Sequence, residues 1–125
     1  MSLKIRNFVK GEELPDSLKV GFENGNQPDW IWVAEREGKI VAILIAAPAH
    51  IVAILLRLAS TDDAEPMDVR ILLVNAVSEI KARGFEGYVT WLSPDSGVEK
   101  KLYDIIMAGG GIQLPQPMFF CVGKF

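Results

Sequence analysis

The sequence predicts an α/β fold in which a sheet is covered by helices on both faces. Two apolar runs, Ile40–Ala46 and Ile51–Leu58, follow one another closely and are rich in Ile and Val. Strands without polar alternation belong inside a sheet, so helices must supply the cover. A helical period then runs from Pro66 to about Arg83, with Leu73, Val77 and Ile80 on one face and Ile71 and Val74 widening it. The expected order is strand, helix, three strands, helix, strand, helix, strand. The 125 residues fit one domain, 1–125, with no internal repeat and no linker long enough to divide it.

Each element has its own signal. Lys4–Val9 carries apolar Ile5 and Phe8 or Val9 and reads as a first strand. Leu14–Phe22 reads as a short helix starting near Pro15, because proline suits a first turn. Gly25-Asn26-Gln27-Pro28 is a loop, and Trp30–Glu35 is a strand. Glu37-Gly38-Lys39 is a tight turn between that strand and Ile40–Ala46. Pro48-Ala49 is expected to break the chain before Ile51–Leu58. The long helix opens at Pro66 and ends at Gly84, with Lys81 and Arg83 complementing its C-terminus. Tyr88–Leu92 is a short strand. Ser96 and Glu99 have capping-box spacing for a helix to about Ala108, with Leu102, Ile105, Ile106 and Met107 on its apolar side and Gly109-Gly110-Gly111 ending it. Met118–Val122 is a last strand, placed at an edge by Pro115 and Pro117.

Composition narrows the function classes. The net charge is −3 and no basic stripe is present, which argues against nucleic acid as a partner. A lone cysteine, Cys121, allows no internal disulfide and no cysteine-rich zinc site. The acidic run Asp62–Glu65 lacks the glycine and ligand spacing of a calcium loop, so no metal is expected. Met1–Lys10 has no apolar core of a signal peptide, and a cytoplasmic location is expected. The stretch Ile40–Leu56 would span about 25 Å as a helix, slightly short for a bilayer, and it holds Pro48 and His50 near its middle. No membrane partner is expected. His50 is the sole histidine and has no partner for a triad. Cys121 on the last strand is expected to be a small buried residue.

Several segments resemble the GNAT superfamily of acetyl-CoA-dependent N-acetyltransferases. Trp32-Val33-Ala34-Glu35-Arg36-Glu37-Gly38-Lys39-Ile40-Val41-Ala42 is similar to that family's hairpin. A long strand follows, then a helix ending at Arg83-Gly84-Phe85, then a short strand, and Leu102-Tyr103 resembles the family's next helix. The likeness covers about residues 30–125. It implies a mixed, mainly antiparallel sheet, acetyl-CoA as cofactor and an amine as acceptor. It also implies direct attack of the amine on the thioester. Backbone N–H groups at Ala59, Ser60, Thr61 and Asp62 would meet the thioester and pyrophosphate, and Ser96 would contact the cofactor arm. Tyr103 would protonate the departing thiolate, a proton transfer suited to a phenol. The same residues have plainer readings: Ser96 as a helix cap with Glu99, and Tyr103 as a packing residue beside Leu102.

The family's phosphate loop is not kept. Counting back from Leu72-Leu73, its glycine positions fall near Glu65, Met67 and Val69, and its basic residue near Ala64. Asp62, Asp63, Glu65 and Asp68 crowd the place instead. Each would oppose a pyrophosphate by about 1 kcal/mol in water-like surroundings. Acids there also satisfy the helix N-terminus, which is the feature that would attract an anion. Two functions therefore stand open: an acyltransferase with an altered or lost cofactor loop, and a non-catalytic interaction or assembly module on the same fold. Glu35, Glu37 and the run Asp62–Glu65 could offer a base to an amine; their plainer reading is exposed carboxylates at a hairpin and a helix start, and the general base stays unassigned. Trp30, Trp32, Trp91, Phe119 and Phe120 could build a core or a ligand pocket. If Trp30 and Trp32 are both exposed, their shared strand face is a partner or homodimer surface.

Overall fold

A computed structural model describes residues 3–19, 27–92, 103–104, 106–108, 112–114 and 119–124. The elements are β1 (Leu3–Asn7), α1 (Asp16–Lys19), a 3₁₀ turn (Pro28–Trp30), β2 (Ile31–Arg36), β3 (Lys39–Ala49), β4 (Val52–Ser60), α2 (Pro66–Ala82), β5 (Gly87–Leu92), β6 (Ile112–Leu114) and β7 (Phe119–Lys124). Residues 103–104 and 106–108 have helical backbone. The expected start of that helix at Ser96, its glycine end and the loop Gly25-Asn26 lie outside the described residues. Contacts divide the chain into two units: Met1–Ala46 with Arg57–Glu79, and Ala47–Leu56 with Ile80–Phe125.

The first unit is built on antiparallel strands in the order β1-β2-β3. Arg36 pairs with Lys39 across a two-residue turn, Glu37-Gly38, in which both residues have positive φ (53° and 78°). Two positive φ values match the right-handed twist of a hairpin, and glycine takes the second without strain. The register then shifts: Ala34 faces Ala42, but Glu35 faces Ile40. Val41 is the extra residue of a β-bulge. Because the bulge changes parity, Ile40 joins Ile43 and Ile45 in one apolar cluster with Ile31, Val33, Phe8, Leu14 and Leu18. The sequence places all of Ile40–Ala46 inside, and every one of these residues is buried.

The opposite face of β2 carries Trp32, Ala34 and Arg36, and α2 supplies partners to both ends of that row. Trp32 Nε1 donates to Glu79 Oε2 at 2.7 Å, and Arg36 pairs with Asp68. Asp68 and Glu79 are eleven positions apart, about three helical turns, so they share one side of the helix. The buried side of α2 is therefore Asp68, Leu72, Leu73, Ala76 and Ile80. This is rotated from the expected stripe, since Val74 is 51% exposed. Ala76 and Asp68 give no hydrophobic signal, so periodicity alone centres the stripe too far round.

In the second unit the strand order is β4-β5-β7-β6. Val52–Leu55 pair in parallel with Gly87–Thr90, and β7 pairs antiparallel with both β5 and β6. The sheet pairing is thus mixed and mainly antiparallel, as the resemblance implies. Three expectations are corrected here. The final strand is not an edge, because the unanticipated β6 lies outside it. β3 continues through Pro48 to Ala49, and the turn falls at His50-Ile51, where His50 takes a positive φ of 61°. The Ile51–Leu58 run is not covered throughout, since Leu56 is 52% exposed. The stretch Ile40–Leu56 forms strands, and among the described residues no helix is long and apolar enough to cross a membrane.

Gly84 ends α2 at φ 97°, and its N–H donates to Lys81 O at 3.0 Å. A side chain there is strained by its backbone rather than by a neighbour, because nothing lies within 4 Å of a built Cβ. Gly84→Ala is expected to cost about 1–2 kcal/mol in urea unfolding, through the left-handed backbone it imposes on alanine.

Candidate functional site at the β4–α2 junction

The residues that would meet a cofactor phosphate lie in the first unit, where β4 gives way to α2. Ala59 and Ser60 are the last residues of β4, both half-buried, and Ala59 packs against the apolar cluster. Thr61 follows, and the Val41 bulge anchors it. Its N–H donates to Val41 O at 2.8 Å, and its hydroxyl oxygen lies 3.3 Å from the same carbonyl. Asp62 and Asp63 are exposed at the turn. The Thr61 hydroxyl also lies 2.5 Å from Asp63 Oδ1. That contact, with a bond from the backbone of Asp63, holds the Asp63 carboxyl below its usual range.

Several of the N–H groups that could cradle an anion are engaged within the chain. Ala64 donates to Thr61 O at 3.1 Å. Pro66, the first helical residue, has no N–H. Glu65, the N-cap, donates to Asp68 Oδ2 at 3.0 Å, while Asp68 N–H donates to Glu65 O at 2.9 Å. This is half of a capping box, with an aspartate in the third helical position reaching back to the cap.

Asp68 is 1% exposed. Its Oδ1 accepts from Arg36 Nη2, so one carboxylate serves both the guanidinium and the helix start. Burial alone would raise the Asp68 carboxyl. The Arg36 and Glu65 hydrogen bonds and the Arg36 charge outweigh burial and hold it below the usual value. Among the described residues the Arg36 Nε is buried without a hydrogen-bond partner.

An open cleft of about 470 Å³ adjoins this junction within the same unit and includes Arg6, Glu12, Glu35, Lys39, Thr61 and Asp63 in its lining. Arg6 grips Glu12 through two bonds of 2.8 and 2.9 Å and reaches Glu35 at 3.1 Å. The Arg6 bond comes first among the causes that hold the Glu12 carboxyl low, against burial, and the Val9 N–H adds to it. A general base near neutral pH needs a raised carboxyl, and Glu12 and Asp63 are moved the other way. Glu35, expected as a candidate base, is tied to Arg6.

Tyr103 belongs to the second unit, in helical backbone and half-buried. Ser96 lies outside the described residues. The structure therefore brings Ala59, Ser60, Thr61 and Asp62 together by chain continuity alone. His50 is exposed at a turn, and Cys121 pairs through its backbone with Thr90 and Gln113. Trp32 is 1% exposed and Trp30 sits in the 3₁₀ turn, their rings meeting edge to face at 6.0 Å. The condition for an exposed two-tryptophan strand face is not met. For Trp91, Phe119 and Phe120 the backbone pairing is described and the side chains are not. Sequence reading missed the Arg36–Asp68 pair. Its available signal was an acid two places after a proline that opens a helix. Among the described residues no group of three or more His, Cys, Asp or Glu could hold a metal ion.

No family model matches the chain, and no curated protein matches it. Solved structures do. The PaiA N-acetyltransferase of Thermoplasma acidophilum, in complex with coenzyme A, has a TM-score of 0.73 at 14% identity, covering 100% of both chains. A GNAT family acetyltransferase from Elizabethkingia anophelis with acetyl-CoA bound has a TM-score of 0.69 at 11% identity, covering 98% of each chain. The diaminobutyrate acetyltransferase EctA of Paenibacillus lautus, with its substrate and coenzyme A, has a TM-score of 0.68 at 13% identity, covering 98% of this chain and 95% of that one. Matches that run the length of both chains show that this chain has the GNAT acetyltransferase fold.

Proposed function

We propose that this chain is a GNAT-fold binding or assembly module that does not hold coenzyme A at the start of α2. The observation that carries the reading is the buried Asp68 carboxylate. It occupies the helix start, with Arg36 and the Glu65 N–H as its partners. A pyrophosphate brought there would meet Asp62, Asp63 and Glu65 and would have to displace a satisfied intramolecular anion. The residues present do not fit the phosphate group of coenzyme A, and no transfer step is assigned through it.

The competing reading is acetyl transfer from acetyl-CoA to an amine. It is supported by the neighbours solved with coenzyme A or acetyl-CoA, one of which also holds an amine substrate. In that reading Tyr103 is the acid, and Ala59, Ser60, Thr61, Asp62 and Ser96 contact the cofactor. Thermal shift with acetyl-CoA, coenzyme A and a nucleotide control separates the two. Ligand at 100 times its Kd would stabilise the protein by about 2.7 kcal/mol. We expect no shift at millimolar coenzyme A. A saturable shift, or acetyl transfer to any of a panel of amines by mass spectrometry, would establish the competing reading instead.

A further inference from the structure

The outward side of α2 carries a row that its burial pattern does not explain. Met67 is 53% exposed and Val74 is 51% exposed, with half-buried Ile71 between them. Spacings of four and three residues put these side chains in one line along the helix. The line lies on the side away from Asp68, Leu72, Ala76 and Ile80, which are buried. A surface helix ordinarily presents polar groups there. Single exposed apolar side chains are common, but three in line leave a strip that favours cover.

The line continues through Ser78 to Lys81, both exposed, and the exposed carboxylates of Asp62, Asp63 and Glu65 precede it. From start to end the outward side is therefore acidic, then apolar, then small, then basic. Such an order complements itself when reversed. Two copies laid antiparallel, with Ile71 of each against the partner's Val74, place Met67 against the partner's Ser78. The same register brings the partner's Lys81 to Ala64, between Asp63 and Glu65, and does so twice in each pair. Arg70 falls beside the partner's neutral Asn75. The two helix dipoles are opposed, which adds to the attraction.

We propose that the outward side of α2 docks a second copy of this chain, antiparallel, about a two-fold axis that passes between Ile71 and Val74. One patch then serves both copies and the pair closes on itself. The assignment gives the assembly reading its partner and rests on that reading, yet the two fail separately. Saturable binding of coenzyme A would overturn the module and leave the pair. A monomer would overturn the pair and leave the module.

The test is sedimentation velocity of the whole protein. The strip is short, so the contact belongs with weak interfaces, and dimer should appear between about 50 μM and about 1 mM. Lys81→Glu sets acid against acid and should raise the dissociation constant about fivefold. Ile71→Asp and Val74→Lys should each be monomeric throughout, with folding checked by circular dichroism. Mixed in equal amounts, these two should form a heterodimer. One of its two central contacts becomes an ion pair, and the other stays Val74 against Ile71. A wild-type monomer over the whole range, a mixture that stays monomeric, or a dimer undiminished by Lys81→Glu would each overturn the assignment. Lys81 is exposed, so its variant tests the face even if a variant of the apolar strip fails to fold.

Discussion

Asp68→Ala is expected to lower the unfolding free energy by about 2–3 kcal/mol at neutral pH, measured by urea denaturation. Two losses combine. The Glu65 N–H loses its cap, and the Arg36 guanidinium loses its carboxylate while its Nε is already unsatisfied. Arg36 keeps some contact with water, which holds the loss below that of a fully buried pair. Asp68→Asn keeps the shape and loses the charge, so about half of the effect should remain. The pH dependence gives the mechanism its own signature. The folded-state carboxyl of Asp68 lies below its unfolded value of about 3.9. Its contribution is therefore fully present above that value and is lost as the pH falls through the lower folded value. The gap between wild type and Asp68→Asn should be constant above about pH 5 and close progressively below about pH 4. A gap that persists unchanged in acid would mean that shape, not charge, makes the contribution.

Trp32→Ala should have the largest effect of any single change considered, about 3–5 kcal/mol. The indole is fully buried in the first unit and donates to Glu79 at 2.7 Å. Trp32→Phe separates the two parts of this loss. It keeps an aromatic ring but removes the donor and leaves a smaller void, for an expected cost of about 1–2 kcal/mol. A double-mutant cycle of Trp32→Phe with Glu79→Ala, which removes the acceptor, should return a coupling of about 1 kcal/mol. A coupling near zero would show that the bond contributes nothing and that Trp32 acts by volume alone.

Much of the fold was legible because its signals are local or periodic. The β2–β3 hairpin follows from Glu37-Gly38 between apolar runs, and the α2 limits follow from Pro66 and Gly84. β6 escaped notice because three residues between glycines and prolines carry no period. Pro48 misled because it normally interrupts pairing, yet near the end of an exposed hairpin its missing N–H costs little. The site was legible in composition and not in geometry. The acidic helix start was visible in Asp62–Asp68, but the use of Asp68 depends on Arg36, 32 positions earlier. That pairing requires knowing that Trp32 and Arg36 share a strand face with the inner side of α2.

The two polar contacts between β2 and α2 also work together as a spacer. One fastens the helix near its beginning and the other three turns further on, both to a single row of side chains. A helix tied at two points can neither slide along the strand nor roll without breaking a tie. Emptying the helix start to receive a phosphate would therefore do more than delete one acid. It would leave Trp32–Glu79 as the remaining one of these two polar ties between β2 and α2, and the first turn of the helix would need new packing beneath it to stay in register.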